Sequence, residues 1–210
     1  MQVIKSTMLQ ELAEFLLKSN SIRFGLFKLS SGKESTYYID LRTLPSFPTY
    51  FKMVINALKE KVEQHVNLDS IDYICTIPTA GLVYASVLAY TLDKGMIYVR
   101  IEPKDHGTTQ LLEGYLRPGS NVLLLDDVVT TGRSLLHAAN VVRSNGGVVE
   151  NALVLIDRCE GASRLLADNG IRLASVARID EIAEILYNSN MLEEDMLRAI
   201  RLQIIDSSKD

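Results

Sequence analysis

The stretch Asn121-Val-Leu-Leu-Leu-Asp-Asp-Val-Val-Thr-Thr-Gly-Arg-Ser134 constrains the fold more than any other part of the chain. Val122 to Leu125 is an unbroken apolar run, the pattern of a strand covered on both faces inside a parallel sheet. Asp126 and Asp127 follow. Adjacent carboxylates repel one another and resist desolvation, so they are expected to end the strand at its carboxyl edge and to meet a cation or sugar hydroxyls, not a phosphate. Thr130, Thr131, Gly132 and Ser134 then supply hydroxyls, a flexible backbone and free N–H groups where Leu135, Leu136 and Ala139 take up helical spacing. Such a helix entrance is an anion site. Carboxylates beside an anion cradle imply a ligand with both a phosphate and a polyol, as in a phosphorylated ribose. The cradle lacks the Gly-Lys-Ser/Thr of a P-loop and the chain has no G-x-G-x-x-G, which weakens nucleoside triphosphate and dinucleotide readings. Helix capping could use the same hydroxyls, but capping needs no acid pair.

The chain's 210 residues suffice for one full core, and one domain with a small appendage is expected. A net charge of -4 argues against a general nucleic-acid or membrane-surface protein. Cys75 and Cys159 have neither metal-ligand nor CxxC spacing, so a reducing, cytoplasmic compartment is the expectation. No signal peptide is evident, and no stretch approaches the roughly 18 apolar residues of a membrane span.

Thr7-Met-Leu-Gln10 fits a capping box before Leu9, Leu12, Phe15 and Leu16, which predicts a helix over 7–18. Strands over 24–29 and 36–41 would form a hairpin through Ser30-Ser-Gly-Lys33, with Gly32 free to take a positive φ. After Pro45-Ser-Phe-Pro48 a helix runs to about residue 65. Strands are then expected at 73–77, 96–100, 122–125, 148–156 and 172–176, with helices near 82–92, 134–144 and 161–169. Closing helices follow at 180–187 and 191–200, with a frayed polar tail from Asp206. Alternating strands and helices indicate a doubly wound parallel sheet. The segment from Arg100 to Gly114 has no sustained apolar period and reads as a mobile loop. Arg158 follows the apolar run Leu153 to Ile156, again at a carboxyl strand end; it could clamp a carboxylate with two parallel bonds or pair with Asp157 or Glu160. His65 and His137 read as structural.

The 121–134 stretch resembles the phosphoribosyl pyrophosphate (PRPP) signature of type I phosphoribosyltransferases: an apolar strand, two acids, and a Thr/Gly/Ser loop opening a helix. Phe27-Lys-Leu-Ser-Ser-Gly-Lys-Glu-Ser-Thr-Tyr-Tyr-Ile-Asp-Leu-Arg42 is similar to the amino-terminal segment of orotate phosphoribosyltransferases, where the hairpin forms a lid over the pyrimidine. Pro78-Thr-Ala-Gly81 stands where the family binds pyrophosphate. Arg100-Ile-Glu-Pro-Lys-Asp-His-Gly107 resembles the family's Arg-Lys-Glu-x-Lys-Asp/Glu-His-Gly loop except at Ile101.

The resemblance implies an α/β fold: a type I phosphoribosyltransferase-like doubly wound parallel sheet with a small N-terminal α+β hood. The hood would comprise residues 1–45, and 46–210 a PRPP-binding core with C-terminal helices. The implied reaction joins orotate to the ribose of PRPP, giving orotidine 5′-monophosphate and pyrophosphate. Lys104, His106, Asp126 and Asp127 would be catalytic. PRPP would be bound by Arg100, Lys104, His106, Thr79, Ala80, Asp126, Asp127 and the run Val128, Val129, Thr130, Thr131, Gly132, Arg133, Ser134; orotate by Thr130, Arg158, Tyr38 and Ile39. The implied cofactor is Mg2+, held mainly by PRPP, with Asp126 and Asp127 the protein groups that could reach it. A homodimer sharing loop 101–114 across its interface is expected, with no nucleic-acid or membrane partner. Some relatives carry Lys where this chain has Ser30, Ala80 and Ile101, so three cationic contacts are missing. Alternatives are another base phosphoribosyltransferase or a PRPP-sensing regulator; Arg158 and the hairpin favour orotate, while Lys104 and His106 favour turnover.

Overall fold

The computed structural model describes residues 2–28, 34–101 and 111–207, with the side chains of 2–6 left out. Leu29 to Lys33, which include the expected turn residues, and Glu102 to Gln110, including Lys104 and His106, lie outside the described residues.

Helix α1 (Gln2–Lys18) precedes the antiparallel strands β1 (Ile22–Lys28) and β2 (Glu34–Ile39). It starts earlier than the capping pattern at Thr7 suggests, because no glycine or proline interrupts residues 2–7. Pro48 opens α2 (Pro48–His65) at a first-turn position, where its missing N–H is no loss. There follow β3 (Tyr73–Thr76), α3 (Ala80–Leu92), β4 (Gly95–Val99), β5 (Leu112–Glu113), β6 (Asn121–Val129) and α4 (Arg133–Ser144). The chain continues through β7 (Val148–Asp157), α5 (Ala162–Ala167), β8 (Arg172–Arg178), α6 (Ile179–Asn188) and α7 (Glu194–Ser207).

Six strands form one sheet in the order β5-β4-β3-β6-β7-β8, parallel except for the antiparallel edge pair β4 and β5. The mixed α/β fold with its central parallel sheet and small N-terminal hairpin is the expected type I phosphoribosyltransferase-like one. Both faces are covered, which explains the unbroken apolar runs. Leu123, Leu125, Leu153 and Leu155 pack with α2, α3 and α6, whereas Val122, Leu124, Ala152 and Val154 pack with α4 and α5. The amino-terminal unit joins the first of these cores: Leu12, Leu16, Ile22 and Tyr37 share it with Leu58, Ile182 and Leu186.

Three further details depart from the sequence expectations. Strand β6 continues through Asp126 and Asp127 to Val129, because β7 stays paired with it to Asp157. Residues Leu112–Glu113, expected in a loop, add a short strand by pairing with Tyr98 and Val99. The last helix starts later than expected and runs to Ser207, so Asp206 is helical and not tail; Ile200 and Ile204 pack on the core and extend its apolar face.

Candidate active site

The sheet changes direction between β3 and β6: the chain leaves β3 through α3 toward β4, and leaves β6 through α4 toward β7 on the opposite side. Ligands of doubly wound sheets bind in the crevice outside the carboxyl ends of such strands. Two loops meet there, Ile77 to Thr79 before α3 and Thr130 to Gly132 before α4.

Gly132 takes φ +79 at the entrance of α4, and a Cβ there would stand 3.2 Å from Ala162. No side chain caps this entrance, and among the described residues the hydroxyls of Thr130, Thr131 and Ser134 make no hydrogen bond. That disfavours capping as the purpose of the motif and leaves open N–H groups with exposed Thr131, Arg133 and Ser134 beside them. Val128 and Val129 serve as strand, and the Val129 carbonyl accepts the Arg158 amide at 3.0 Å.

On the facing loop the Pro78–Thr79 peptide is cis, Thr79 is exposed and Ala80 half-buried. Gly81 is required by close approach. A Cβ there would meet Thr76 Oγ1 at 2.3 Å and Asp126 Oδ1 at 2.7 Å, so the two polar groups crowd against its Cα. Thr76 Oγ1 is buried with no hydrogen-bond partner among the described residues.

Asp126 Oδ1 accepts the Asp127 amide at 2.9 Å. Burial first, then the neighbouring Asp127 charge, pushes Asp126 well above the usual carboxylate range. Burial also raises Asp127, opposed by a hydrogen bond from Asp126 and by backbone amides. The pair therefore resists carrying two full charges, and a bound cation or cationic sugar centre would relieve it.

The hairpin leads into the same crevice. Asp40 binds Arg42 through Arg42 Nε (2.7 Å) and Nη2 (2.6 Å). Tyr84 of α3 donates to the Leu41 carbonyl at 2.6 Å, tying the hairpin's exit to the core. Tyr38 is half-buried under the Arg23 guanidinium, 5.0 Å from the ring centroid, and Ile39 packs partly on the main core. Sequence reading missed the roles of Asp40, Arg42 and Tyr84, although Asp40 and Arg42 belong to the segment that resembles the family.

Of the two readings offered by its sequence context, the structure shows Arg158 in the ion pair with Glu160. It is 5% exposed, pairs with Glu160 through Nη2 at 2.8 Å and Nε at 2.9 Å, and donates from Nη2 to Ser35 Oγ at 3.0 Å. Its guanidinium also lies 4.5 Å from the Tyr37 ring centroid. Among the described residues, nothing hydrogen-bonds to Nη1. Arg100 approaches Glu113 at 3.7 Å.

Residues 48–171 match the phosphoribosyl transferase domain family, more than half of the chain. The orotate phosphoribosyltransferase of Cenarchaeum symbiosum is 42% identical over 186 residues, covering 89% of this chain and 93% of that one. The Sulfolobus acidocaldarius protein of the same name is 43% identical over 88% and 91%. The chain belongs to the orotate phosphoribosyltransferase family. A crystal structure of the family, from Aeropyrum pernix, superposes with a TM-score of 0.76 at 42% identity, covering 84% of this chain and 98% of that one. Leishmania donovani UMP synthase aligns with TM-score 0.81 at 31% identity over 94% of this chain, which spans only 42% of that longer protein. As a member of this family the chain is a phosphoribosyltransferase. Among the described residues no helix is long and apolar enough to cross a membrane.

Proposed function

We propose that the protein transfers the 5-phosphoribosyl group of PRPP to N1 of orotate, giving orotidine 5′-monophosphate and pyrophosphate. One bond forms from N1 to ribose C1′ and the bond from C1′ to pyrophosphate breaks with inversion, while the proton on N1 leaves to the pyrophosphate or to solvent. The observation that carries this reading is the convergence, at the β3/β6 crevice, of an uncapped helix entrance, a half-buried acid pair and a second loop closed around Gly81. Thr130 to Ser134 would hold the 5′-phosphate, and Asp126 and Asp127 the ribose hydroxyls. The acid pair would also stabilise positive charge that develops at C1′. Thr79 and Ala80 would meet the pyrophosphate, with Arg100, Lys104 and His106 offsetting its growing negative charge. Thr130, Tyr38, Ile39 and Arg158, through Nη1, would orient the base.

Mg2+ fits the donor set: Asp126 and Asp127 put two adjacent carboxylates at the crevice, and Mg2+ is typically held by one or two carboxylates plus substrate phosphates. Asp126 and Asp127 would be the protein's contribution, and the ion would supply charge neutralisation on the leaving pyrophosphate.

A homodimer sharing the 101–114 loop belongs to the same proposal. Helix α3 has no charged side chain and leaves Val83 and Tyr90 in solvent, Tyr90 at 89% exposure, while Ile101 and Tyr115 flank the edge pairing of β4 with β5 and are also exposed. Such apolar exposure suits an interface with a second copy.

The test is spectrophotometric. Purified protein with PRPP and Mg2+ should consume orotate, and uracil far more slowly, since uracil offers Arg158 no carboxylate. Equal rates for the two bases would overturn the orotate assignment.

A further inference from the structure

Helix α7 reaches back from the carboxyl end of the chain to the two segments assigned above to the base. Gln203 Oε1 accepts from Thr36 N at 2.8 Å and Thr36 Oγ1 at 2.9 Å, while its Nε2 donates to Ser35 Oγ at 3.1 Å and to Glu160 Oε1 at 3.1 Å. Ser35 and Glu160 are the two groups that hold Arg158. Tyr37, fully buried, closes the cluster by donating its hydroxyl to Glu160 at 3.1 Å beneath the Arg158 guanidinium.

A glutamine suits this place because it offers acceptor and donor on one rigid amide plane. The acceptor fixes the hairpin strand, and the donor fixes the carboxylate that neutralises Arg158. With Nε and Nη2 held, Arg158 has one edge left, Nη1. We infer that Gln203 is a positioning residue for the base site: by holding Ser35 and Glu160 it sets the direction in which Arg158 presents Nη1 to the substrate. The inference rests on the orotate reading. It makes the carboxyl-terminal helix part of base recognition, although that helix lies far from the crevice loops in sequence. Buried, fully connected polar clusters of this kind rigidify a site, whereas partly satisfied ones loosen it.

The test uses the full chain and steady-state kinetics with each substrate varied in turn. Gln203→Met keeps the side chain's length but removes both arms, and should raise KM for orotate about tenfold, the loss expected for hydrogen bonds serving a charged group. KM for PRPP should stay at its wild-type value. Gln203→Glu alone keeps the acceptor but sets a second carboxylate against Glu160, so it should impair orotate binding similarly. Gln203→Glu combined with Glu160→Gln keeps one negative charge and restores a donor-acceptor match, and should recover most of the orotate affinity. This pair also decides the matter if Gln203→Met does not fold. An unchanged orotate KM in folded Gln203→Met, an equal rise in both KM values, or a double variant no better than Gln203→Glu would each overturn the inference. Those outcomes in an enzyme whose wild type still prefers orotate to uracil leave the orotate reading intact; loss of that preference in the wild type removes both.

Discussion

Asp126 serves two demands that pull in opposite directions. Its half-buried carboxylate is partly desolvated beside Asp127, which raises its pKa above the ordinary 3.8 and makes the charged form costly to the fold. A raised folded-state value means that the stability contribution is present below the unfolded pKa and is lost as pH rises through the folded one. Asp126→Asn should therefore melt higher than wild type at neutral pH, with the difference shrinking toward acid, when unfolding is followed by circular dichroism across pH. Asp127→Asn, whose parent carboxylate is also raised by burial, should likewise melt no lower than wild type at neutral pH, yet it is expected to lower kcat about a hundredfold by removing charge from the side of the developing cation. Full specific activity in a destabilised Asp127→Asn protein would return the acid pair to a structural role. Arg158→Ala should combine both kinds of damage. It should raise KM for orotate more than KM for PRPP, and it leaves Glu160 buried and unpaired, a loss of about 3 to 5 kcal/mol by analogy with broken buried pairs. Urea unfolding measures the second effect directly.

At the helix entrances, backbone geometry decides. Gly132 turns the chain from β6 into α4 at a φ that side chains resist, with Ala162 within 3.2 Å of any added Cβ. Gly132→Ala should cost at least about 1 to 2 kcal/mol for the left-handed conformation and should weaken PRPP more than orotate, since the N–H groups of the phosphate cradle must shift. Gly81→Ala meets Thr76 and Asp126 at once, on strand ends that cannot withdraw. It should disturb both the pyrophosphate loop and the acid pair, seen as lost PRPP binding by calorimetry; normal PRPP affinity in that variant would separate the two loops functionally.

The assembly adds a prediction that neither a residue nor an element can make. If loop 101–114 completes the partner's site, Lys104→Ala and Asp127→Asn proteins are each inactive, yet a mixed dimer holds one site with both defects and one with neither. Random pairing makes half the dimers mixed, so co-expression should restore about a quarter of wild-type activity by symmetry. Mixed dimers that remain inactive would confine the loop to its own subunit. Separately, Tyr90→Glu on the uncharged face of α3 should shift the species seen by sedimentation toward monomer if that face is the interface.

Local chemistry made much of this protein readable from its sequence. The apolar run 122–125 reports a doubly covered strand because burial on both faces removes alternation, and the run's position before acids, hydroxyls and Gly132 marks the ligand end of that strand. The strand order, and so the meeting of the Gly81 and Gly132 loops at one crevice, is tertiary: pattern tells that strands alternate with helices, not which strands become neighbours. The extension of β6 through Asp126 and Asp127 was hidden for the same reason, since β7 supplies the hydrogen bonds that overcome an unfavourable pair of strand residues. Arg158 shows the division most sharply. Its place at a strand end is written in the apolar residues before it, but its orientation depends on Ser35, Glu160 and Gln203, which only folding brings within hydrogen-bond reach of one another.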